Sequence, residues 1–414
     1  MTVKTASAAF LLASCLAVAG CAGPGRPYHP RTSGPMPKPV TPPSQKAIRA
    51  AIDRGVAFLV RTQNSNGSWG SSRDFGRGVV CPVPGGHMAF HTAATALCVS
   101  ALIEIKPDQP GAVEALRRGE DWLIENVPNL RLCSLDVMYN NWAHAYSIEA
   151  LARMLRARPI DATRRDKIRG LVKGQLARLE RYQHLDGGWG YYSWGSMPGR
   201  TAAPSTPFTT ATVLVAMNDA QQAGVQPPQN VVNMAVRGLR MQRRPDFAYP
   251  YYHYLARRGV PHTMAKPPCS LARSQACNAA LYLWGDEETT QAVMKAWINR
   301  LIARNGWLSM ARKQRWPHEG YYGIAAYFYY YGHYYAARCI DLLEPGDRAH
   351  FQDQLAHVLL PKQEKDGSWW DFPLYNYHQA YGTGFALMSL QRCLRRQPIG
   401  SRSPAHQPNS VMPQ

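Results

Sequence analysis

Polar and apolar positions between residues 44 and 396 alternate between two helical patterns. In the first pattern, apolar residues such as Ile52, Val56 and Leu59 recur every three or four positions, and the opposite face is basic. This amphipathic pattern predicts six helices: Gln45–Arg61, Gly111–Asn126, Arg164–Tyr182, Gln229–Met241, Glu288–Ala303 and Arg348–Leu360.

The second pattern is rich in alanine and nearly free of charge, which is typical of a helix that is buried on all sides. It predicts six more helices: His91–Ile105, Trp142–Leu155, Phe208–Gln221, Ser274–Gly285, Tyr322–Ile340 and His378–Leu394. The two kinds alternate along the chain, and strand patterns are almost absent. We therefore predict an all-α fold, an (α/α)6 toroid of six helical hairpins with an inner ring of buried helices and an outer ring of amphipathic helices.

A short turn recurs after three of the predicted outer helices. It begins at Gln63, Gln183 and Gln363, with Gly four positions later and Trp six positions later. Asn305-Gly306-Trp307 is a partial copy. Gly permits the positive φ needed just past a helix, Trp can bury its ring against the next helix, and Gln can hydrogen-bond free groups at the helix end.

These turns, placed at the ends of outer helices, resemble the repeats of squalene–hopene cyclases and of the β subunits of protein prenyltransferases. The resemblance covers residues 44–394. The chain resembles in particular bacterial lipoproteins with prenyltransferase/squalene-cyclase-like repeats. The segment 381–387, Tyr-Gly-Thr-Gly-Phe-Ala-Leu, resembles an inner-helix pattern of terpenoid-cyclase-like C-terminal repeats. The resemblance implies a toroid whose central cavity binds an isoprenoid or another amphipathic lipid. If the protein is an enzyme, the resemblance implies prenyltransferase- or terpene-cyclase-like chemistry.

The acidic motifs of the resembled enzymes are absent, because no aspartate of the chain lies in an Asp-x-Asp-Asp or Asp-Asp-x-x-Asp cluster. Protonation-initiated cyclisation of the family type is therefore disfavoured. The resembled prenyltransferases bind zinc through Asp-x-Cys and a later His, and here Gln275 replaces that carboxylate. Cys277 and His378 remain candidates for zinc, and the alternative is a buried cysteine and a cavity-lining histidine. No other cofactor is predicted.

Polar side chains mark the predicted starts of the inner helices. Inner helices of a toroid run in the same direction, so their N-termini, which carry partial positive charges, meet at one mouth. We predict that the head of an anionic amphipathic ligand binds there with its tail inside the cavity, the alternative being that these side chains only cap helices. The candidate ligand-binding residues are His91, Asn141, His144, Thr209, Arg273, Gln275, Tyr322, Tyr377 and His378, with Arg131 and Arg200 nearby.

Two other function classes remain open. Some (α/α)6 enzymes act on polysaccharides, which needs two carboxylates or a base such as His or Tyr across a cleft. Candidate catalytic residues for this class are His91, His144, His378, Asp136 and Asp371, with Glu319 nearby. The third class is a non-catalytic envelope scaffold or partner-binding protein that docks on anionic polymers. Long loops over 71–89, 190–206 and 245–270 are expected to roof the mouth.

The N-terminus predicts export and lipidation. Lys4 and an apolar stretch over residues 8–17 precede Val18-Ala-Gly-Cys21, which matches a lipoprotein signal cleaved before Cys21, the alternative being an ordinary secretory signal. We expect a signal peptide over 1–20, a Pro-rich tether over 21–43, the toroid over 44–396 and a disordered tail over 397–414. The chain would then be anchored in a bacterial envelope, at the outer membrane if the cell has one.

Composition narrows the choice of partners. The net charge of +20 favours anionic partners, but the Arg-dominated surplus is spread along the whole chain, so nucleic acid is not predicted. Cysteines 98, 277, 339 and 393 lie on predicted inner helices and are expected to be packing residues. In an oxidising compartment we expect a Cys81–Cys133 disulfide as one alternative, and Cys269 is predicted to lie in a loop.

Overall fold

The computed structural model describes residues 31–73, 86–130, 140–190, 205–251, 267–314 and 325–394. Within these residues it contains thirteen α-helices and no strand. In chain order they are α1 Gln45–Thr62, α2 Gly86–Ile105, α3 Pro110–Asn126, α4 Asn140–Ala157, α5 Ala162–Tyr182, α6 Pro207–Gln222, α7 Gln229–Gln242, α8 Pro267–Leu283, α9 Gln291–Ala303, α10 Asn305–Met310, α11 Tyr329–Asp341, α12 Pro345–Leu359 and α13 His378–Cys393. Several residues singled out above lie outside the described ranges: Cys21, Cys81, Arg131, Cys133, Asp136, Arg200, Glu319 and Tyr322.

Six helices form a closed inner ring in the order α2, α4, α6, α8, α11 and α13. Each packs against its two neighbours in this order, and α13 packs against α2, which closes the ring. The outer helices α1, α3, α5, α7, α9 and α12 pack against the outside of this ring. The predicted (α/α)6 toroid is confirmed, and α10 is a short additional helix after α9.

The two rings differ as the hydrophobic patterns predict. Helix α5 buries only one stripe, with Ile168, Val172 and Leu176 spaced at four residues, whereas every residue of α4 from Asn140 to Leu155 is buried except Trp142. Three outer helices, α1, α5 and α9, begin at side-chain caps. The Asp161 carboxylate, for example, accepts a hydrogen bond from the Arg164 N–H. The cysteines predicted to pack on inner helices are all buried: Cys98, Cys277, Cys339 and Cys393.

Three inner helices begin at positions that differ from the predicted ones. Helix α2 begins at Gly86 and α8 at Pro267, several residues before the expected starts, and α11 begins at Tyr329, several residues after. His91, Arg273 and Gln275 therefore lie one turn or more inside their helices. The predicted first-turn positions of His91 and Gln275, and the predicted position of Arg273 in or near a connection, are therefore wrong.

The recurring turn has the predicted geometry in its three full copies. The φ angles of Gly67, Gly187 and Gly367 are 93°, 91° and 92°. The Gln63 amide donates to the Gly67 carbonyl of its own turn and to the Ala115 carbonyl of the next outer helix, at 2.8 and 2.7 Å. The second and third copies repeat this pair of bonds, so the turns link each outer helix to the next.

A fourth copy, absent from the sequence prediction, follows α7. The Arg244 N–H donates to Ala248 O at 3.0 Å and the Phe247 N–H donates to Arg244 O at 2.9 Å, as at equivalent positions of the other turns. Phe247 takes the place of Gly with φ +64°, and Tyr249 takes the place of Trp. The prediction of a partial copy at Asn305-Gly306-Trp307 is wrong, because these residues begin helix α10 and the Trp307 side chain is exposed.

A hydroxyl on each adjoining inner helix secures these turns. It accepts a hydrogen bond of 3.0–3.3 Å from the backbone N–H of the buried aromatic residue of the turn. The donor and acceptor pairs are Trp69 and Thr95, Trp189 and Thr210, Tyr249 and Ser274, and Trp369 and Thr383.

The end of the expected tether is packed against the toroid. Arg31 forms an ion pair of 3.0 Å with Glu288, and the Ser33 carbonyl accepts a hydrogen bond from Nε of Arg300 on α9 at 3.1 Å. Further along, the Lys38 carbonyl accepts a hydrogen bond from Gln354 on α12 at 3.0 Å. We call residues 31–44 the strap, which crosses two outer helices before α1 begins.

One helix among the described residues, His87–Ile105, is long and apolar enough to cross a membrane. It is the inner helix α2, and most of its surface is buried by other helices of the toroid.

Candidate functional site

Several polar residues expected at the mouth face the outer ring instead. His144 on α4 places Nδ1 2.6 Å from the side-chain oxygen of Gln175 on α5. Gln275 on α8 donates to the Trp297 carbonyl of α9 at 2.9 Å. Asn141 donates to the Gly190 carbonyl at 3.0 Å. His144 and Gln275 therefore connect inner helices to outer helices, and Asn141 connects α4 to Gly190, directly after the recurring turn that follows α5.

His91, Tyr377 and His378 lie close together where α2 meets α13. The His91 ring is 5.9 Å from the Tyr377 ring, and its Nε2 lies 2.7 Å from the Ser68 hydroxyl. His378 Nδ1 lies 2.6 Å from the Tyr375 carbonyl, and burial lowers the pKa of His378. His91 therefore has a hydrogen-bond partner in the recurring turn, and His378 has one in the backbone just before its own helix.

Thr209 and Arg273 occupy separate places near the same end. The Thr209 hydroxyl accepts a hydrogen bond of 2.7 Å from Thr206, which precedes α6. The fully buried Arg273 guanidinium lies over the Tyr251 and Phe328 rings, 5.2 and 5.6 Å from their centroids. These ring contacts stabilise the buried charge of Arg273.

Asp371 is the candidate carboxylate that the structure describes, and it is fully buried. The Tyr381 hydroxyl donates to Oδ1 at 2.6 Å, and the Tyr330 N–H at the start of α11 donates to Oδ2 at 3.1 Å. Burial raises the pKa of Asp371 to about 6, although both hydrogen bonds oppose this rise. Its geometry is that of a carboxylate that caps a helix from outside.

Aromatic rings fill the axis of the toroid among the described residues. Trp142 on α4 lies 5.7 Å from Tyr331 on α11, the helix on the opposite side of the ring. Tyr331 in turn lies 6.3 Å from Phe385, and Phe385 lies 5.7 Å from Tyr146. Side chains from three inner helices thus meet in the space where the prediction places an apolar tail.

The zinc candidates do not come together with a further ligand. Among the residues that the structure describes, no group of three or more His, Cys, Asp or Glu side chains is placed to hold a metal ion. Cys277 is fully buried on α8, and this burial raises the pKa of its thiol well above the ordinary value. A protonated thiol is a poor zinc ligand.

A cavity of about 1340 Å³ lies at the other end of the toroid, where the inner helices finish. We call it the basal cavity. Five of the six inner helices bring a charged residue to it or directly beneath it. These residues are Glu104 of α2, Glu149 and Arg153 of α4, Asp219 of α6, Arg338 and Asp341 of α11, and Arg392 of α13.

Arginines and carboxylates form a paired network at the floor of the basal cavity. Arg153 Nε is 2.8 Å from Glu104 Oε1, and its Nη1 is 3.2 Å from Glu149 Oε2. Arg338 donates two hydrogen bonds to Asp219, at 2.8 and 3.1 Å. Arg392 binds Glu104 through both terminal nitrogens. Arginines near helix C-termini also offset the negative ends of the helix dipoles.

The network sets the charge state of its carboxylates. Burial would raise the pKa of Asp219, but Arg338 and Arg153 outweigh this effect and the pKa is lowered. The same balance lowers the pKa of Glu104, through Arg392 and Arg153. For Glu149 burial is the stronger effect, so its pKa is raised although Arg153 lies beside it. Glu104 and Asp219 are therefore firmly ionised partners of the three arginines at neutral pH.

Basic side chains also surround the opening of the basal cavity. Four basic residues lie there, and none of them forms an ion pair with a carboxylate within the part of the chain that the structure describes. Arg156 donates to the Gln222 amide at 2.8 Å, and Arg348 donates to the Leu343 carbonyl at 2.7 Å. These basic residues, which we call the rim, are Arg49, Lys106, Arg156 and Arg348.

The floor and the rim were missed by the sequence prediction, although a signal was present. The inner helices are nearly free of charge, yet Glu104, Asp219 and Arg392 all lie within the last turn of such a helix. Because the inner helices are parallel, isolated charges at the same end of several helices must converge.

Comparison with solved structures supports the fold. A cellobiose 2-epimerase from Spirochaeta thermophila has a TM-score of 0.54 at 14% identity, over 84% of this chain and 96% of that chain. An α-1,6-mannanase of Salegentibacter, in complex with α-1,6-mannotetrose, has a TM-score of 0.52 at 10% identity, over 84% and 99%. A type II terpene cyclase from Scytonema has a TM-score of 0.46 at 12% identity, over 84% and 98%.

No protein-family model matches the chain, and no curated protein matches it in sequence. At these identities the solved structures show the fold alone. The chain therefore shares the α/α toroid fold with the mannanase and the epimerase, and the fold is the part of the predicted resemblance that is confirmed.

Proposed function

We propose that the protein is a lipid-anchored envelope protein whose toroid binds a polar, negatively charged ligand in the basal cavity. The observation that carries the proposal is the rim. Its four basic side chains lack carboxylate partners among the described residues, and they stand above a floor where arginines and carboxylates already pair.

Charge matching explains why the rim is the attractive part of the cavity. The floor arginines are balanced by Glu104, Glu149 and Asp219. Arg156 acts on Asp219 from a distance, but Arg49, Lys106 and Arg348 form no ion pair with a described carboxylate. A concave site with an excess of charges of one sign raises the local concentration of oppositely charged ligands. The net charge of +20 extends this attraction over the whole molecule.

An isoprenoid tail on the toroid axis is less well supported. It would have to displace the buried rings of Tyr331, Tyr146 and Phe385, which are at most 4% exposed. Opening such a core costs about 3–5 kcal/mol for each large ring that loses its packing. The basal cavity contains charged and amide side chains, which suit a polar ligand better than a hydrocarbon tail.

Binding of an anion at the rim is tested by calorimetric titration of the full-length protein with linear polyphosphate, with tetragalacturonate and with uncharged farnesol. We expect at least one of the two anions to bind, and to bind more weakly as salt is added. The double variant Arg49→Gln/Arg348→Gln should reduce its affinity about tenfold, whereas Arg117→Gln should not. Arg117 is a suitable control because it lies on α3 and pairs with Glu114 and Asp121 of the same helix. Binding of farnesol without either anion would reject the proposal, and so would anion binding that the double variant leaves unchanged.

The anchor is tested separately. Intact-mass measurement of the membrane-extracted protein should find residue 21 as the first residue, carrying acyl chains. Cys21→Ser should move the protein from the membrane to the soluble fraction. A mature protein that begins at another residue and carries no acyl chain would contradict this part of the proposal.

A further inference from the structure

We infer that the ligand of the basal cavity is an acidic oligosaccharide, a chain of sugar rings that carries carboxylates at intervals. This inference rests on the proposed function and specifies its ligand. Three features of the cavity support it: the spacing of the rim charges, the amide side chains that line the same cavity, and the carboxylates of the floor.

The rim charges come from four different places in the fold. Arg49 lies on α1, Lys106 directly follows α2, Arg156 lies on α4 and Arg348 lies on α12. A compact anion is usually held by donors that converge on one point. Charges spread around a cavity of about 1340 Å³ instead match an extended ligand whose own charges are spaced, since pockets for small molecules are usually about 300–1,000 Å³.

Amide side chains line the same cavity as the rim charges. An amide offers both a donor and an acceptor, as a sugar hydroxyl does, so the two groups match each other. Gln391 on α13 is half-buried and makes no side-chain hydrogen bond to another described residue. Gln352 on α12 donates to the Arg392 carbonyl at 2.8 Å, which leaves its own amide oxygen to accept from a ligand. The amides that line the cavity are Gln45, Gln222, Gln352 and Gln391.

The floor discriminates between sugars and phosphate chains. Glu104, Asp219 and Asp341 line the cavity, and their oxygens can accept hydrogen bonds from hydroxyl groups. Among the described residues, Asp341 is bound through Oδ2 alone, by Nε of Arg392 at 2.9 Å, and its side chain is 45% exposed. These carboxylates repel a phosphate chain, which is densely charged and has no hydroxyl groups along its length. A sugar chain can place carboxylates at the rim and hydroxyls at the floor.

The test compares three chains of similar length with the full-length protein: tetragalacturonate, linear tetrapolyphosphate and the neutral maltotetraose. We expect tetragalacturonate to bind at least tenfold more tightly than either of the others. The variant Gln391→Leu should weaken tetragalacturonate binding about fivefold and leave any polyphosphate binding unchanged, because only the sugar has hydroxyls for the amide to bind. Arg117→Gln again serves as the control for loss of a surface charge.

The outcomes separate this inference from the proposed function. If polyphosphate binds as tightly as tetragalacturonate and Gln391→Leu changes neither, sugar recognition is rejected and anion binding stands. If maltotetraose binds as tightly as tetragalacturonate, the rim does not distinguish a charged sugar chain from a neutral one, and the inference fails. If neither anion binds, both the inference and the proposed function are rejected. A circular dichroism spectrum and a thermal midpoint for each variant confirm that it is folded.

Discussion

Tyr334 of α11 donates a hydrogen bond of 2.9 Å to the carboxylate of Glu149 on α4, the inner helix on the opposite side of the toroid. The same hydroxyl accepts hydrogen bonds from Arg153 at 2.9 Å and from Arg338 at 3.3 Å. One hydroxyl therefore joins three charged side chains at the boundary between the aromatic axis and the basal cavity.

Removal of this hydroxyl should destabilise the protein. Tyr334→Phe leaves Glu149 and Arg153 with one hydrogen bond fewer in a buried place, which costs about 1–3 kcal/mol. The free energy of unfolding in urea measures the loss. Tyr282→Phe is the matched control, because its half-buried hydroxyl accepts a single hydrogen bond of 3.3 Å from Gln291, and its removal should cost less than about 0.5 kcal/mol. Equal losses in the two variants would contradict the central role of Tyr334.

The glycine in the second copy of the recurring turn should be costly to replace. Gly187 has φ +91°, and a Cβ there would lie 2.2 Å from the Met234 carbonyl oxygen of α7. Since that oxygen belongs to the backbone of the next outer helix, Gly187→Ala should cost about 3 kcal/mol through backbone strain and overpacking. Gly170→Ala, inside α5 with no atom within 4 Å of the added Cβ, should instead stabilise by about 0.5–1 kcal/mol. Thermal midpoints that move in the same direction would show that the turn does not constrain the outer ring.

Two buried histidines predict loss of stability in mild acid. Burial lowers the pKa of His144 and of His333 from 6.5 to about 4. As the pH falls below 6.5, the unfolded chain gains protons at these positions and the folded chain does not. Stability is therefore lost between pH 6.5 and 4, by about 2 kcal/mol for each histidine at pH 5.

The contribution of one histidine can be isolated. His144→Gln retains an amide that can bind Gln175 and removes the titrating ring, so its stability should fall by about 2 kcal/mol less than that of the parent between pH 7 and pH 5. His357→Gln, at an exposed position of α12, is the matched control for the loss of a histidine. A parent and a His144→Gln variant with parallel pH profiles would show that His144 takes up its proton in the folded state.

The strap should open when its contact with α9 is removed. Arg300 binds the Ser33 carbonyl and also the Asp246 carbonyl at 3.1 Å. Arg300→Gln should increase the rate of tryptic cleavage after Arg31 about tenfold, because about 1.4 kcal/mol of local stability corresponds to a tenfold larger open population. Arg304→Gln, a neighbour without an ion pair among the described residues, is the control. An unchanged cleavage rate in Arg300→Gln would show that the other strap contacts suffice.

The rings of the toroid could be predicted because amphipathicity is a local property of sequence. The outer helices begin and end within three residues of the expected positions, for instance Pro110–Asn126 for α3. The starts of inner helices were harder to predict. The two prolines at 267 and 268 read as a loop, although proline is well tolerated in the first turn of a helix. The aromatic run before Tyr329 reads as helix, but it contains a 3-10 turn over Ala326–Phe328.

The directions of individual side chains could not be predicted. His144 and Gln275 lie on inner helices, and the residue type does not tell whether a side chain faces the axis or the outer ring. The fourth turn could have been found by spacing. Gly67, Gly187 and Gly367 are separated by multiples of 60 residues, and Phe247 follows Gly187 by 60. A phenylalanine at a position that favours glycine concealed it.

The strap also limits how far the toroid can move. If Cys21 carries the lipid as proposed, only residues 22–30 separate it from Arg31, the first residue of the strap. Ten extended peptide units span at most about 35 Å, roughly the width of one small domain. The protein would then be confined to a thin layer next to the lipid surface, and distant ligands would have to diffuse to it.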